Sequence, residues 1–266
     1  STEYHYESDI YEKRVYNGWS KAEPEFELRF GPNIKDWPDM PALTDDLMLK
    51  ICSYITDPVT TTDELIPSGE TSSYRSNPER LSQFALSKRD PEYAGRSMKV
   101  RSVERDRRAS GSVSQEFAEV YNLLESHGIK CDPEGTDIGS SIFAMMPGDG
   151  SAREQAASCQ RVLGASANFA RQYATKRYRS NCINWGMVPF IIEDPSILQL
   201  NDYVFVPGIR QAIIDNTDKI KAYRVRKSSE DDKSFEIKEF EVSTGALTAD
   251  ERQIIIDGCL INYYKH

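Results

Sequence analysis

The 266-residue chain reads as an α/β fold built on a mixed sheet or small barrel. Three observations carry that reading. Short apolar runs recur, as in LMLKICSYI (47–55), SIFAMM (141–146), MVPFII (187–192) and YVFVPG (203–208), each the length of a buried strand. Segments whose apolar residues fall at helical spacing alternate with them, and turn-forming clusters separate the two kinds. The runs are too short for one long parallel sheet.

Taken in order, residues 1–50 hold 11 acidic and 6 basic residues interleaved with Tyr4, Tyr6, Tyr11, Tyr16, Trp19 and Trp37. Pro24, Pro32, Pro38 and Pro41 exclude a long regular helix there. Residues 1–42 are therefore expected to form an extended arm or linker, ahead of a domain spanning 43–266. After the strand at 47–55, DPVTTTDELIPSGETSSYR (57–75) is rich in Thr, Ser and Pro and reads as a loop. Residues 96–108, RSMKVRSVERDRR, are densely basic and read as a solvated face. In SVSQEFAEVYNLLESHG (112–128), Phe117, Val120, Tyr121 and Leu124 recur at helical spacing, with Ser112 or Ser114 as cap and Gly128 as stop.

SIFAMM then leads through a PGDG turn (147–150) into a helix over SAREQAASCQRVLG (151–164), ending at Gly164. KAYRVRK (221–227) and KSFEIKEFEV (233–242) add strands. LTADERQIIIDGCLINYY (247–264) closes as a helix with a Thr248-x-x-Glu251 capping box.

Composition narrows the function. The formal charge of −9 does not suit general binding to nucleic acid or acidic membranes. No apolar run approaches the roughly 20 residues a membrane helix needs. STEYHYESDIYEKRV has no apolar core of a signal peptide. The first residue is Ser, and the chain is expected to be a processed product or a piece of a longer protein. The five cysteines (Cys52, Cys131, Cys159, Cys182, Cys259) are far apart, with no CxxC or Cys/His pair at ligand spacing, so no metal site is expected within the chain. Reduced thiols in a cytoplasmic compartment are the expectation.

Chemistry is most concentrated in Gly148-Asp149-Gly150-Ser151-Ala152-Arg153-Glu154. A strand, a glycine turn and a helix in succession aim backbone N–H groups at an anion. Ser151 would lie at the helix N-terminus, where free N–H groups and the helix dipole stabilise a ligand carboxylate or a serine alkoxide. Arg153 can add a bidentate carboxylate contact. The plain alternative is a serine acting only as an N-cap. A second segment, Thr61-Thr62-Asp63 with Arg75 twelve residues after Asp63, reads on its own as a local ion pair.

Taken together, the two segments resemble the C-terminal swivelling domain of the aconitase superfamily of hydro-lyases, which includes aconitase, homoaconitase and isopropylmalate dehydratase. The resemblance runs from about residue 43 to 264. It rests on Thr61-Thr62-Asp63, Gly69 and Tyr74-Arg75, then GDGSAREQA (148–156), Asn168-Phe169-Ala170 and Gly186-Met187-Val188-Pro189, in the family's order. The arm, with KAEPEFELRFGPNIKDWPDMPALTDDL, resembles bacterial aconitase-family hydratases.

The resemblance implies a mixed-sheet swivelling β/β/α domain behind an N-terminal arm. Ser151 matches the catalytic serine base, and Asp63 an aspartate that supports the site. Arg75 and Arg153 match the arginines that grip the carboxylates of a di- or tricarboxylic acid. Family SSREH reads SAREQ here, and Glu64-Leu65-Ile66 stands where His-Ile-Ser is usual. Those departures bear on the substrate more than on the reaction class.

The family's [4Fe–4S] cluster is held by cysteines of other domains. The chain is therefore expected to work with aconitase-like partner domains, in the same parent chain or in a large subunit, and to be inactive alone. Two other functions remain open: an RNA-binding or regulatory relative using the basic stretches 96–108 and 171–179, and a generic anion-binding domain that merely shares the glycine turn.

Overall fold

The computed structural model describes residues 37–228 and 234–265. Strand β1 (Asp46–Ile55) is the apolar run of 47–55, with Leu47, Leu49 and Ile51 alternating against Met48 and Cys52. The next segment corrects the expected loop at 57–75. It holds a two-residue strand β2 (Thr60–Thr61), helices α1 (Thr62–Leu65) and α2 (Ser68–Thr71), and a 3-10 turn over Ser72–Tyr74. Thr61 and Glu64 form a capping box, which starts a turn of helix in a stretch of poor helix formers, and buried Leu65 and Ile66 anchor it.

Short helix α3 (Pro78–Ser82) and long helix α4 (Tyr93–Ser110) follow, then α5 (Gln115–Ser126), capped by Ser114 with Gly128 left-handed just beyond it. Strand β3 (Thr136–Ala144) is longer than the apolar run at 141–146, because its polar first half is also buried. Strand β4 (Pro147–Asp149) comes next, then α6 (Arg153–Val162), β5 (Ala165–Ala170), α7 (Lys176–Asn184), β6 (Val188–Ile191) and β7 (Tyr203–Val206). Helix α8 (Ile209–Ile214), strands β8 (Lys219–Lys227) and β9 (Phe235–Ser243), and helices α9 (Ala249–Asp257) and α10 (Leu260–Tyr263) complete the chain. The Thr248–Glu251 capping box opens α9, and left-handed Gly258 splits the closing helix in two.

Seven strands close into a barrel in the order β1–β3–β5–β6–β9–β8–β7. Half of it, β1–β3–β5–β6, is parallel, and the remaining pairings are antiparallel. One core cluster draws on all seven strands, including Ile51, Phe143, Phe169, Phe190, Val204, Ala222 and Val242, which places it inside the barrel. A second packs Cys52, Ile138 and Ile142 against Leu81, Phe117, Tyr121 and Leu163, so the parallel half is covered on both faces and β3 is buried at every position.

The basic run at 96–108 lies on α4 and is only partly the solvated face its charge density suggests. Arg96 pairs with Asp90, and Arg101 with Glu79 at 2.7 Å. Arg107 and Arg108 both reach Glu104 and Asp137 at 2.6–2.9 Å. Glu104 also accepts the Ile138 amide at 2.8 Å, which ties α4 to β3. Of the expected arm, residues 1–36 lie outside the described residues. Residues 37–43 lie against α7 and the last helices: Asn262 donates to the Met40 carbonyl at 2.6 Å, and Trp37 packs on Trp185, the C-cap of α7, with ring centroids 4.6 Å apart.

Candidate active site

Three loops leave the carboxyl ends of adjacent parallel strands, the end of such a sheet where ligands gather. The first follows β1 and carries Thr60 to Asp63. The second follows β3 and carries Pro147 to Ser151. The third follows β5 and leads into Lys176 and Arg177 at the start of α7. Backbone hydrogen bonds join them. Thr60 N–H donates to the Met146 carbonyl at 3.0 Å, while Gln172 and Ala174 N–H donate to Met145 and Pro147 at 3.2 and 3.0 Å. The first two loops also pair as parallel strands, with Thr60 opposite Pro147 and Thr61 opposite Asp149. The two segments singled out in the sequence are therefore neighbours, although about 90 residues separate them.

The glycines of the second loop are required by contact as well as by dihedral. Gly148 has φ +102° and faces the ring of Tyr178, where a Cβ would collide. Gly150 has φ +136°, and a Cβ there would fall on Thr62 Oγ1. Tyr178 is fully buried and donates to Gln160 at 3.2 Å, and Gln160 also accepts from Asn168 at 3.0 Å. The turn thus rests on a satisfied polar network shared by α6, α7 and β5.

Ser151 is exposed one residue before the cap of α6, not on the helix as expected. The cap is Ala152, which has no oxygen to offer, so the first N–H groups of α6 meet no capping side chain. A capping role for Ser151 is thereby excluded. Ser151 and Arg153 line one open cleft of about 380 Å³ with Glu154, Lys176, Arg177 and Asn181. Arg153 Nε is buried without a hydrogen-bond partner.

Asp63 stands in the first loop, 3.9 Å from Lys88, both side chains exposed. Arg75 is exposed at the end of the 3-10 turn, beside Tyr74, which stacks on Phe84. Neither lines the Ser151 cleft. The structure therefore joins Ser151 to Arg153, sets Asp63 on the adjoining loop, and holds Arg75 outside the cleft. Lys176 and Arg177 enter the cleft without having been singled out individually; the only signal was the basic stretch 171–179.

No family model and no curated protein matches the chain. Among solved structures, one that matches this chain is the crystal structure of 3-isopropylmalate dehydratase (leuD) from Methanocaldococcus jannaschii. It is 19% identical, with a TM-score of 0.42, over 82% of this chain and 93% of that one. At that distance the likeness assigns no residue a role.

The cysteines do not suit an iron–sulfur cluster. All five are buried and separate, and among the described residues no group of His, Cys, Asp or Glu is placed to hold a metal ion. Burial pushes the thiols of Cys52, Cys131, Cys159 and Cys182 up to about 12, so at neutral pH they are protonated side chains of the core. Among the described residues no helix is long and apolar enough to cross a membrane.

Proposed function

We propose that this chain is the serine-bearing domain of an aconitase-like hydro-lyase, acting on a di- or tricarboxylic acid together with aconitase-like partner domains. The observation that carries the reading is the pairing of β2 with β4, which sets the Thr61-Thr62-Asp63 turn against the Gly148-Asp149-Gly150-Ser151 turn. Two motifs distant in sequence are thus held in one place, as a shared site requires.

In this reading Ser151 takes and returns the proton on the carbon next to a substrate carboxylate. A serine hydroxyl is a feeble base in water, so its alkoxide needs fixed positive charge. The uncapped N–H groups of α6 and the guanidinium of Arg153 supply it. Arg153 also fits a carboxylate through two parallel hydrogen bonds, which accounts for the unpartnered Nε. Asp63 supports the turn from the neighbouring loop. Arg75, exposed and outside this cleft, is assigned in this reading to the part of the site that partner domains complete. This chain's five buried, separate cysteines do not fit an iron–sulfur cluster, and in this reading the partner domains hold it.

The test is hydration activity on aconitate-class acids, with the chain assembled with its partner domains. Ser151→Ala is expected to lower kcat by about 10²–10⁴-fold with KM little changed, as loss of a general base does. Arg153→Lys is expected to raise KM. Full turnover by Ser151→Ala, or by residues 1–266 alone, would overturn the proposal.

A further inference from the structure

The third loop brings two cations to the cleft that the motif resemblance does not assign. Lys176 and Arg177 open α7, their side chains exposed beside Ser151, Arg153 and Asn181. Acidic residues outnumber basic ones 42 to 33 in this chain, and the arginines of α4 described above are matched to carboxylates. Arg153, Lys176 and Arg177 differ. Among the described residues none of the three makes an ion pair or a side-chain hydrogen bond, and Glu154 is the only carboxylate lining the cleft. Three unmatched cations that line one cleft with Ser151 leave their counter-charge to a ligand.

The floor beneath them is rigid. Ala174 N–H holds the third loop to Pro147, and the Tyr178 ring carries Gly148, so Lys176 and Arg177 are fixed relative to Ser151 by contacts within two residues of them. A second recess of about 260 Å³, lined by Trp185, Leu260 and Ile261, continues past the shared residues Glu154 and Asn181. It is the place where an alkyl substituent would go instead.

Resting on the function proposed above, we infer that Lys176 and Arg177 hold the remote carboxylate of the substrate. The cleft is thereby set for an acid with a second carboxylate beyond the one on Arg153, in preference to an alkyl-substituted monocarboxylate. The side chains of Lys176 and Arg177 decide which acid is taken, while Ser151 and Arg153 decide what is done to it.

The experiment is binding of tricarballylate and of butyrate to the 266-residue chain at fixed ionic strength, by calorimetry or by shifts of the Arg153 Nε–H resonance. The wild type is expected to prefer tricarballylate by about tenfold or more, and the Lys176→Gln/Arg177→Gln double variant to lose that preference. Lys219→Gln/Lys221→Gln, at exposed positions of β8, controls for the general field and is expected to leave the preference intact. Arg153→Gln is expected to weaken both acids. If Arg153→Gln weakens both while Lys176→Gln/Arg177→Gln keeps the preference, this inference falls and the function above stands. If pyrophosphate competes as well as tricarballylate and responds equally to the double variant, the cleft is a general anion trap and the inference also falls. If the wild type binds neither acid, this inference falls, and the function above is decided by the hydration test on the assembled protein.

Discussion

Gly150 shows how much of this site is decided at a single atom. Its φ of +136° excludes side chains, and its neighbour Thr62 fills the space a Cβ would need. Gly150→Ala is therefore expected to cost about 2–4 kcal/mol, read as a fall in the denaturation midpoint with an unchanged slope. Adding Thr62→Ala should recover only part of it, because the collision is relieved and the dihedral strain is not. Wild-type stability for Gly150→Ala would show that the turn has another conformation. At this scale the placing of Ser151 and Arg153 between a glycine turn and a helix was legible, because that is a local pattern. Lys176 and Arg177 were not. Their meaning depends on β3 and β5 lying side by side, which no neighbouring residue records.

Among the elements, α4 is held to the sheet by charge as much as by apolar contact. Arg107, only 9% exposed at its side chain, and Arg108 converge on Glu104 and Asp137, and Glu104 also takes the β3 amide of Ile138. Glu104→Ala leaves one largely buried guanidinium under-matched and a strand amide unpaired. A loss of about 3–5 kcal/mol is expected in chemical denaturation, the range for breaking a buried ion pair. A loss under about 1 kcal/mol would mean that water replaces the carboxylate.

That network explains why a run such as RSMKVRSVERDRR misleads: charge density says nothing about which carboxylates fold against it. The segment 57–75 misleads for a different reason. Helices of four residues have no periodicity to detect, and the Thr61–Glu64 capping box sits within a composition that otherwise signals a loop. The same box at Thr248–Glu251 was legible because an apolar helix follows it.

For the whole molecule, the barrel is unevenly sealed. Strand β1 pairs with β3 along nearly its full length, whereas β6 meets β9 through the single pair Ile191–Ser243. Native-state hydrogen exchange should find the amides at the β6–β9 seam opening about 100-fold faster, or more, than those of β3. Equal protection across the seam would mean that the barrel opens only by global unfolding. A closed barrel was among the architectures the short strands suggested, but its strand order was not readable. Closure depends on β7 returning antiparallel to β1, a pairing between residues some 150 positions apart.

The joined loops also bear on the thermodynamics of recognition. Main-chain bonds between residues 145–147, 172 and 174, with the Tyr178 ring under Gly148, leave the serine turn and α7 little freedom to rearrange separately. The ordering entropy of this half of the site is paid when the chain folds, not when ligand arrives. Free and carboxylate-bound forms of the chain should therefore superpose at these loops. What remains for the encounter is the approach of one finished surface to another.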